Sequence, residues 1–356
     1  MIRRRLTSMV VIAVVMSITA VACSQWVDVP LHDPDGFLGP AYLRIPLLLG
    51  GAFLVDLIPR TLWRSHGVPA RFKQEARFII DRHWTRERIV LVVTGLLSFY
   101  FTYVSYRNLK NFLPFARTQD GGKHPLTYDT QLHDIDRWLL FGHDPGVILH
   151  RVLGTGFVAQ ILAADYLLFL PLVPVTVIAW LVWSSKVSFG YWYVIADCIC
   201  WALGTASYYL VPSLGPAFAF PWIYKSVSTT GVTSLQSALI DGRLNLHYDP
   251  SINGVQSVAA FASLHVAISL MMALVGQQTI PFRWLRISLW VYCGITTVST
   301  TYFGWHYIAD DIAGALIAFI AYYVGAKVTG NDLRRRVPIE AGSSEGGPLD
   351  LVPAEA

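Results

Sequence analysis

Charge is what this sequence has least of. Asp, Glu, Lys and Arg together make up 14% of its 356 residues, against about 25% in an ordinary soluble domain. That shortage excludes a water-soluble chain of this length. Cysteine is scarce too: Cys23, Cys198, Cys200 and Cys293 all fall in apolar stretches. Cys198 and Cys200 stand two positions apart, closer than metal-ligand or redox motifs place their cysteines. All four read as small core side chains. The net charge is only +4, and no nucleic-acid partner is expected.

What the chain has in excess is apolar sequence. It is 54% hydrophobic with a mean hydropathy of +0.47. Apolar runs of about 18 residues or more recur, each long enough to cross a hydrocarbon core of roughly 30 Å. The expected fold class is all-α, a polytopic membrane bundle of about eight transmembrane helices in a multi-pass protein of the cell membrane. Helices are predicted near residues 7–23, 41–58, 89–106, 156–183, 190–211, 263–280, 284–303 and 306–327. Met1-Ile-Arg-Arg-Arg with residues 7–23 fits an uncleaved first helix, and Ala20-Val-Ala-Cys23 also fits a signal-peptide cleavage site. Pro171 and Pro174 predict a kink in the fourth helix.

Charge distribution suggests the orientation. The N-terminus, the 60–88 segment, the 281–286 turn and the tail after Lys327 are all basic, and short basic loops mark the cytoplasmic side. With both ends cytoplasmic, four distant pieces reach the extracytoplasmic mouth. These are Arg107 with Lys110, the 212–216 turn, Ser263 with His265, and His306 with Asp310. The connections 107–150, with its patch of His133, Asp134 and Asp136, and 217–256 read as polar loops. The last twenty or so residues, rich in Gly, Pro, Ser and Glu, read as disordered.

The chemistry gathers in two apolar stretches. Ser299-Thr-Thr-Tyr-Phe-Gly-Trp-His-Tyr-Ile-Ala-Asp310 puts His306 and Asp310 at i and i+4, which share a face if both lie on one helix. Phe261-Ala-Ser-Leu-His265 supplies a second histidine, with Ser263 as a helix cap. An imidazole–carboxylate pair leaves one ring nitrogen free as a nucleophile, and a second histidine can protonate a leaving alkoxide. Cations and the N-termini of the sixth and eighth helices suit a phosphate. Together they specify phosphoryl transfer through a phosphohistidine. Blander readings stand beside this one. His306 and Asp310 also suit a structural pair, His265 also suits interhelical glue, and the three together also suit zinc. Arg107 and Lys110 also suit snorkelling anchors, and Asp165 suits either a cavity wall or a local hydrogen-bond pair.

These residues carry a resemblance. Phe261-Ala-Ser-Leu-His265 and Ser299 to Asp310 resemble the second and third signature motifs of the type-2 phosphatidic acid phosphatase superfamily. The Ser-Leu-His and His-Tyr variants, with the turn Val211-Pro-Ser-Leu-Gly-Pro216, are most similar to the inositol phosphorylceramide synthase branch. The resemblance spans about residues 89–328 and implies a six-helix catalytic core. It implies His306 as nucleophile, Asp310 as its orienting carboxylate, His265 as general acid and Ser263 as a phosphate ligand, with no metal and no cofactor. The family's Ser-Arg opening is Ser299-Thr300 here, so its arginine is missing. Its first motif has no clean match, and Arg107-Asn-Leu-Lys110 before Pro114 stands in for it as the phosphate clamp.

Three regions follow: 1–88, two helices and a basic cytoplasmic loop; 89–328, the phosphatase-like membrane domain; and 329–356, the tail. The expected partners are the bilayer, a lipid phosphate substrate, and either water or an alcohol such as inositol or a glycan as acceptor. A lipid-phosphate binder or transporter is the alternative. Transporters pair broken helices in two related halves, and only the fourth helix looks broken here.

Overall fold

In a computed structural model, helices occupy all eight apolar segments. Residues 2–34, 41–119, 124–248 and 258–333 are described. The tail predicted to be disordered lies beyond them from residue 334 on, as does Asp249 of the polar loop. The long helices are α1 (Ile2–Val27), α2 (Ala41–Arg64), α4 (Arg86–Ala116), α7 (Phe157–Trp183), α8 (Val187–Leu210), α11 (Leu264–Thr279), α12 (Arg283–Tyr302) and α13 (Ile308–Thr329). Five shorter helices lie between them: α3 (Pro69–His83), α5 (Asp129–Leu139), α6 (Pro145–Leu153), α9 (Pro216–Ala219) and α10 (Gly231–Tyr248). The chain is an all-helical membrane bundle.

Six helices, α1, α2, α4, α7, α8 and α13, are long and apolar enough to cross a membrane. The remaining two of the expected eight fall short of that measure for different reasons. α11 is apolar but only 16 residues long. α12 has the length, but it begins with Arg283 and Arg286 and ends in a run of Ser and Thr. The centre of the bundle is α8, whose residues from Phe189 to Cys198 are buried without interruption. It packs against α4 and α13, while α11 packs against α12 and α13. α2 lies at the rim with Tyr42, Leu47 and Leu54 exposed, as suits a surface solvated by lipid.

The polar connections are more ordered than their composition suggests. Within the 60–88 segment, Pro69 sits at the first helical position of α3, where its missing N–H costs nothing. Phe72, Ala76 and Ile79 recur there at helical spacing. In the 107–150 connection, α4 runs ten residues past the expected end, so Arg107 and Lys110 lie on its last turns. α5 buries Asp129, Leu132 and Asp136 on one face. Acids took the positions where apolar residues would have signalled a helix, and the segment read as a loop for that reason.

Candidate active site

Three non-helical segments meet at one end of the bundle: the turn after α8, the approach to α11 and the turn between α12 and α13. Backbone hydrogen bonds join them. Ala260 N–H donates to the Ser213 carbonyl (3.0 Å), Ser263 N–H to the Asp310 carbonyl (2.9 Å) and Ala217 N–H to the Gly304 carbonyl (2.8 Å). Two glycines permit the approach. A Cβ on Gly215 would lie 2.4 Å from the Trp305 carbonyl oxygen, and one on Gly314 would lie 2.3 Å from that of Ser263. Ser263 caps α11, its hydroxyl accepting from Val266 N–H (3.3 Å).

His306 is buried in this seam, but it is not on a helix. α13 starts at Ile308 with Tyr307 as its cap, so the shared helix face expected for His306 and Asp310 is absent. Asp310 instead occupies the third helical position and reaches back, accepting from Tyr307 N–H (2.9 Å). That return places its Oδ2 3.6 Å from His306 Nδ1. The closer partner of Nδ1 is the Ala260 carbonyl, at 2.9 Å. A carbonyl only accepts, so Nδ1 carries the proton and Nε2 keeps its lone pair. Burial holds His306 below the usual histidine range, at about 4, against the field of Asp311, which favours the charged ring. A neutral imidazole with Nε2 free is the form a nucleophile needs.

His265, on the first turn of α11, has its ring centroid 5.7 Å from that of His306. Tyr166 stacks on it at 4.4 Å and Phe169 packs at 4.3 Å. Lys110 lies 5.9 Å from each of the Tyr106 and Tyr208 rings, and its charge acts on both histidines. Arg107 donates to the Tyr103 hydroxyl (3.0 Å). Asp165 accepts from Thr296 (3.0 Å), a local hydrogen-bond pair. Among the described residues, no group of three or more His, Cys, Asp or Glu is arranged to hold a metal ion.

Several further residues of the seam have contacts that no sequence motif announces. Asp129 accepts from the N–H groups of Leu214 and Gly215 (2.9 Å each) and from the Tyr307 hydroxyl (3.0 Å), tying α5 to both turns. Asp136 accepts from Ile308 and Ala309 N–H (2.9 and 3.3 Å). Burial pushes its carboxyl up to about 6, while those two bonds pull it back. Their seven-residue spacing, which puts both acids on one face of a helix, was the available signal. The first N–H groups of α13 are therefore taken, which leaves α11 as the helix N-terminus able to face a phosphate. Arg243 of α10 donates to the Val258 carbonyl (3.3 Å). Burial lowers it to about 10, so it stays charged at neutral pH. Asp311 accepts from the hydroxyls of Thr300 (3.1 Å) and Thr301 (3.2 Å). Thr300, where the family's arginine would be, therefore faces a carboxylate.

Two neighbouring histidines, a buried carboxylate and three basic residues, Arg107, Lys110 and Arg243, thus lie toward one end of a membrane bundle. A family model, that of the PAP2 superfamily, matches residues 130–324. The chain belongs to this superfamily, and membership points to a phosphatase or phosphotransferase. No curated protein and no solved structure matches it.

Proposed function

We propose that this protein cleaves a phosphate linkage of a membrane lipid at the extracytoplasmic face, without metal or cofactor. His306 Nε2 attacks phosphorus, the bond to the lipid oxygen breaks, and His265 gives that oxygen a proton. A phosphohistidine results. Water or an alcohol then attacks it, His265 takes the proton back, and Nε2 is released. Asp310 and the Ala260 carbonyl hold the ring, while Ser263, Lys110, Arg107 and Arg243 bind phosphate oxygens. The observation that carries this reading is the hydrogen bond from His306 Nδ1 to the Ala260 carbonyl, which commits the free lone pair to Nε2. The motif variants around His265 and His306 favour the inositol phosphorylceramide synthase branch, and so an alcohol rather than water as acceptor.

Purified protein is expected to release phosphate, or transfer a phospho-group, from at least one of diacylglycerol, prenyl and phosphoinositide donors, with turnover rising when inositol is added. Binding of all three donors without turnover would leave a lipid-phosphate binder instead. The orientation has its own check. Single cysteines placed in the 60–88 and 213–256 segments, in a background without the native four, should label oppositely with an impermeant reagent. Labelling of 60–88 from outside intact cells reverses the proposed face.

A further inference from the structure

The end of the bundle opposite the histidines holds a cavity of about 470 Å³. Arg60, Arg82 and Arg88 line one part of it, and Trp180, Trp183 and Phe282 another. It is bounded by the ends of α2, α3, α7 and α11 and the starts of α4, α8 and α12.

Its charge does not balance. Arg60 donates to the buried Asp56, which also accepts from Trp84. Arg88 is only 4% exposed, yet its terminal nitrogens meet the carbonyls of Leu181 and Ser184 and the Ser184 hydroxyl. No carboxylate is among these partners, and its buried Nε has none at all. Arg82 stacks over Phe78 at 4.9 Å and forms no ion pair among the described residues. Three arginines facing one carboxylate leave two positive charges over. Arg82 is exposed, but Arg88 is buried, and burying a cation without a counter-charge is costly, so the cavity is completed by an anion. Its aromatic and aliphatic wall suits an acyl chain entering beside that anion.

We propose that this cavity is a binding site for the headgroup phosphate of an anionic phospholipid, separate from the catalytic end. Arg82 and Arg88 hold the phosphate oxygens. The acyl chains run along Trp180, Trp183 and Phe282. Basic pockets between transmembrane helices take anionic headgroups in this way. A free phosphate ion shares the headgroup's chemistry but would leave the apolar wall uncovered. The inference is independent of the proposed reaction.

The test is photo-crosslinking of the full chain in nanodiscs with phosphatidylglycerol carrying an acyl-chain diazirine. Adducts are expected on residues 179–187 and 279–285. A matched phosphatidylcholine probe, whose net charge is zero, should give about tenfold fewer. Arg82→Gln removes one charge-assisted contact and should lower the phosphatidylglycerol adducts about tenfold. The replaced side chain is exposed and supports no buried partner, so the variant keeps the fold. Equal labelling by the two lipids, or labelling unchanged in Arg82→Gln, overturns the site. Loss of the adducts on adding inorganic phosphate would make the ligand a soluble phosphate and overturn the lipid assignment.

Discussion

His306→Ala is expected to abolish turnover and trapped phosphoenzyme together. In the proposed mechanism the side chain removed is the one that forms the covalent bond, so no residual pathway would retain the two-step chemistry. The loss should be on the order of 10⁶, the size seen when the nucleophile of subtilisin is removed. His265→Ala tests the other half of the assignment. General acid catalysis contributes about 10² to 10⁴, and only where the leaving oxygen needs a proton. The loss should therefore be large for an alkyl phosphate donor and much smaller for an aryl phosphate with an acidic leaving group. Single-turnover rates on both donors make the comparison. Equal losses on the two would remove His265 from the role of acid.

Asp310→Asn and Asp311→Asn carry the second large effect, and the structure changes what to expect of them. Viewed on an ideal helix, Asp311 points about 100° away from Asp310 and looks like a bystander. It is instead buried, holds the hydroxyls of Thr300 and Thr301, and acts electrostatically on His306. In the serine-protease triad, changing the orienting Asp to Asn costs about 10⁴, largely through the wrong imidazole tautomer. Here the Ala260 carbonyl at 2.9 Å fixes the tautomer independently. Asp310→Asn should thus lose only the charge that steadies the developing imidazolium, on the order of 10² in rate. Asp311→Asn should cost tenfold or more. It should also move the acid limb of the rate profile to lower pH, because the carboxylate it removes favours the protonated ring. Initial rates across pH at matched expression are the measurement. A loss near 10⁴ for Asp310→Asn would mean that the carbonyl does not hold the ring.

Much of this molecule was legible in its sequence, and the division follows the physics. Apolar runs are read by length and composition, so helices were located in all eight segments. The two histidines also stood out, because ionisable groups are rare in such runs. What escaped were features that depend on chain reversal. Asp310 meets His306 by folding back from the first turn of α13, and Ala260 contributes a backbone carbonyl, which no side-chain motif announces. Asp129 and Asp136 sat in a segment taken for a loop because its buried face carries acids. Their energetic justification, the N–H groups of Leu214, Gly215, Ile308 and Ala309, lies 85 or more residues away.

The bond from Ser263 N–H to the Asp310 carbonyl, with Gly314 letting the chains touch, has a further consequence. It separates the geometry of reaction from the choice of substrate. The main-chain bond that joins the starts of α11 and α13 does not run through the side chains that surround the two histidines. The rings packed on His265, those of Tyr166 and Phe169, are side chains of a different helix, α7. A chain built this way can be retuned toward a new lipid or acceptor one wall residue at a time while its reacting pair stays in register.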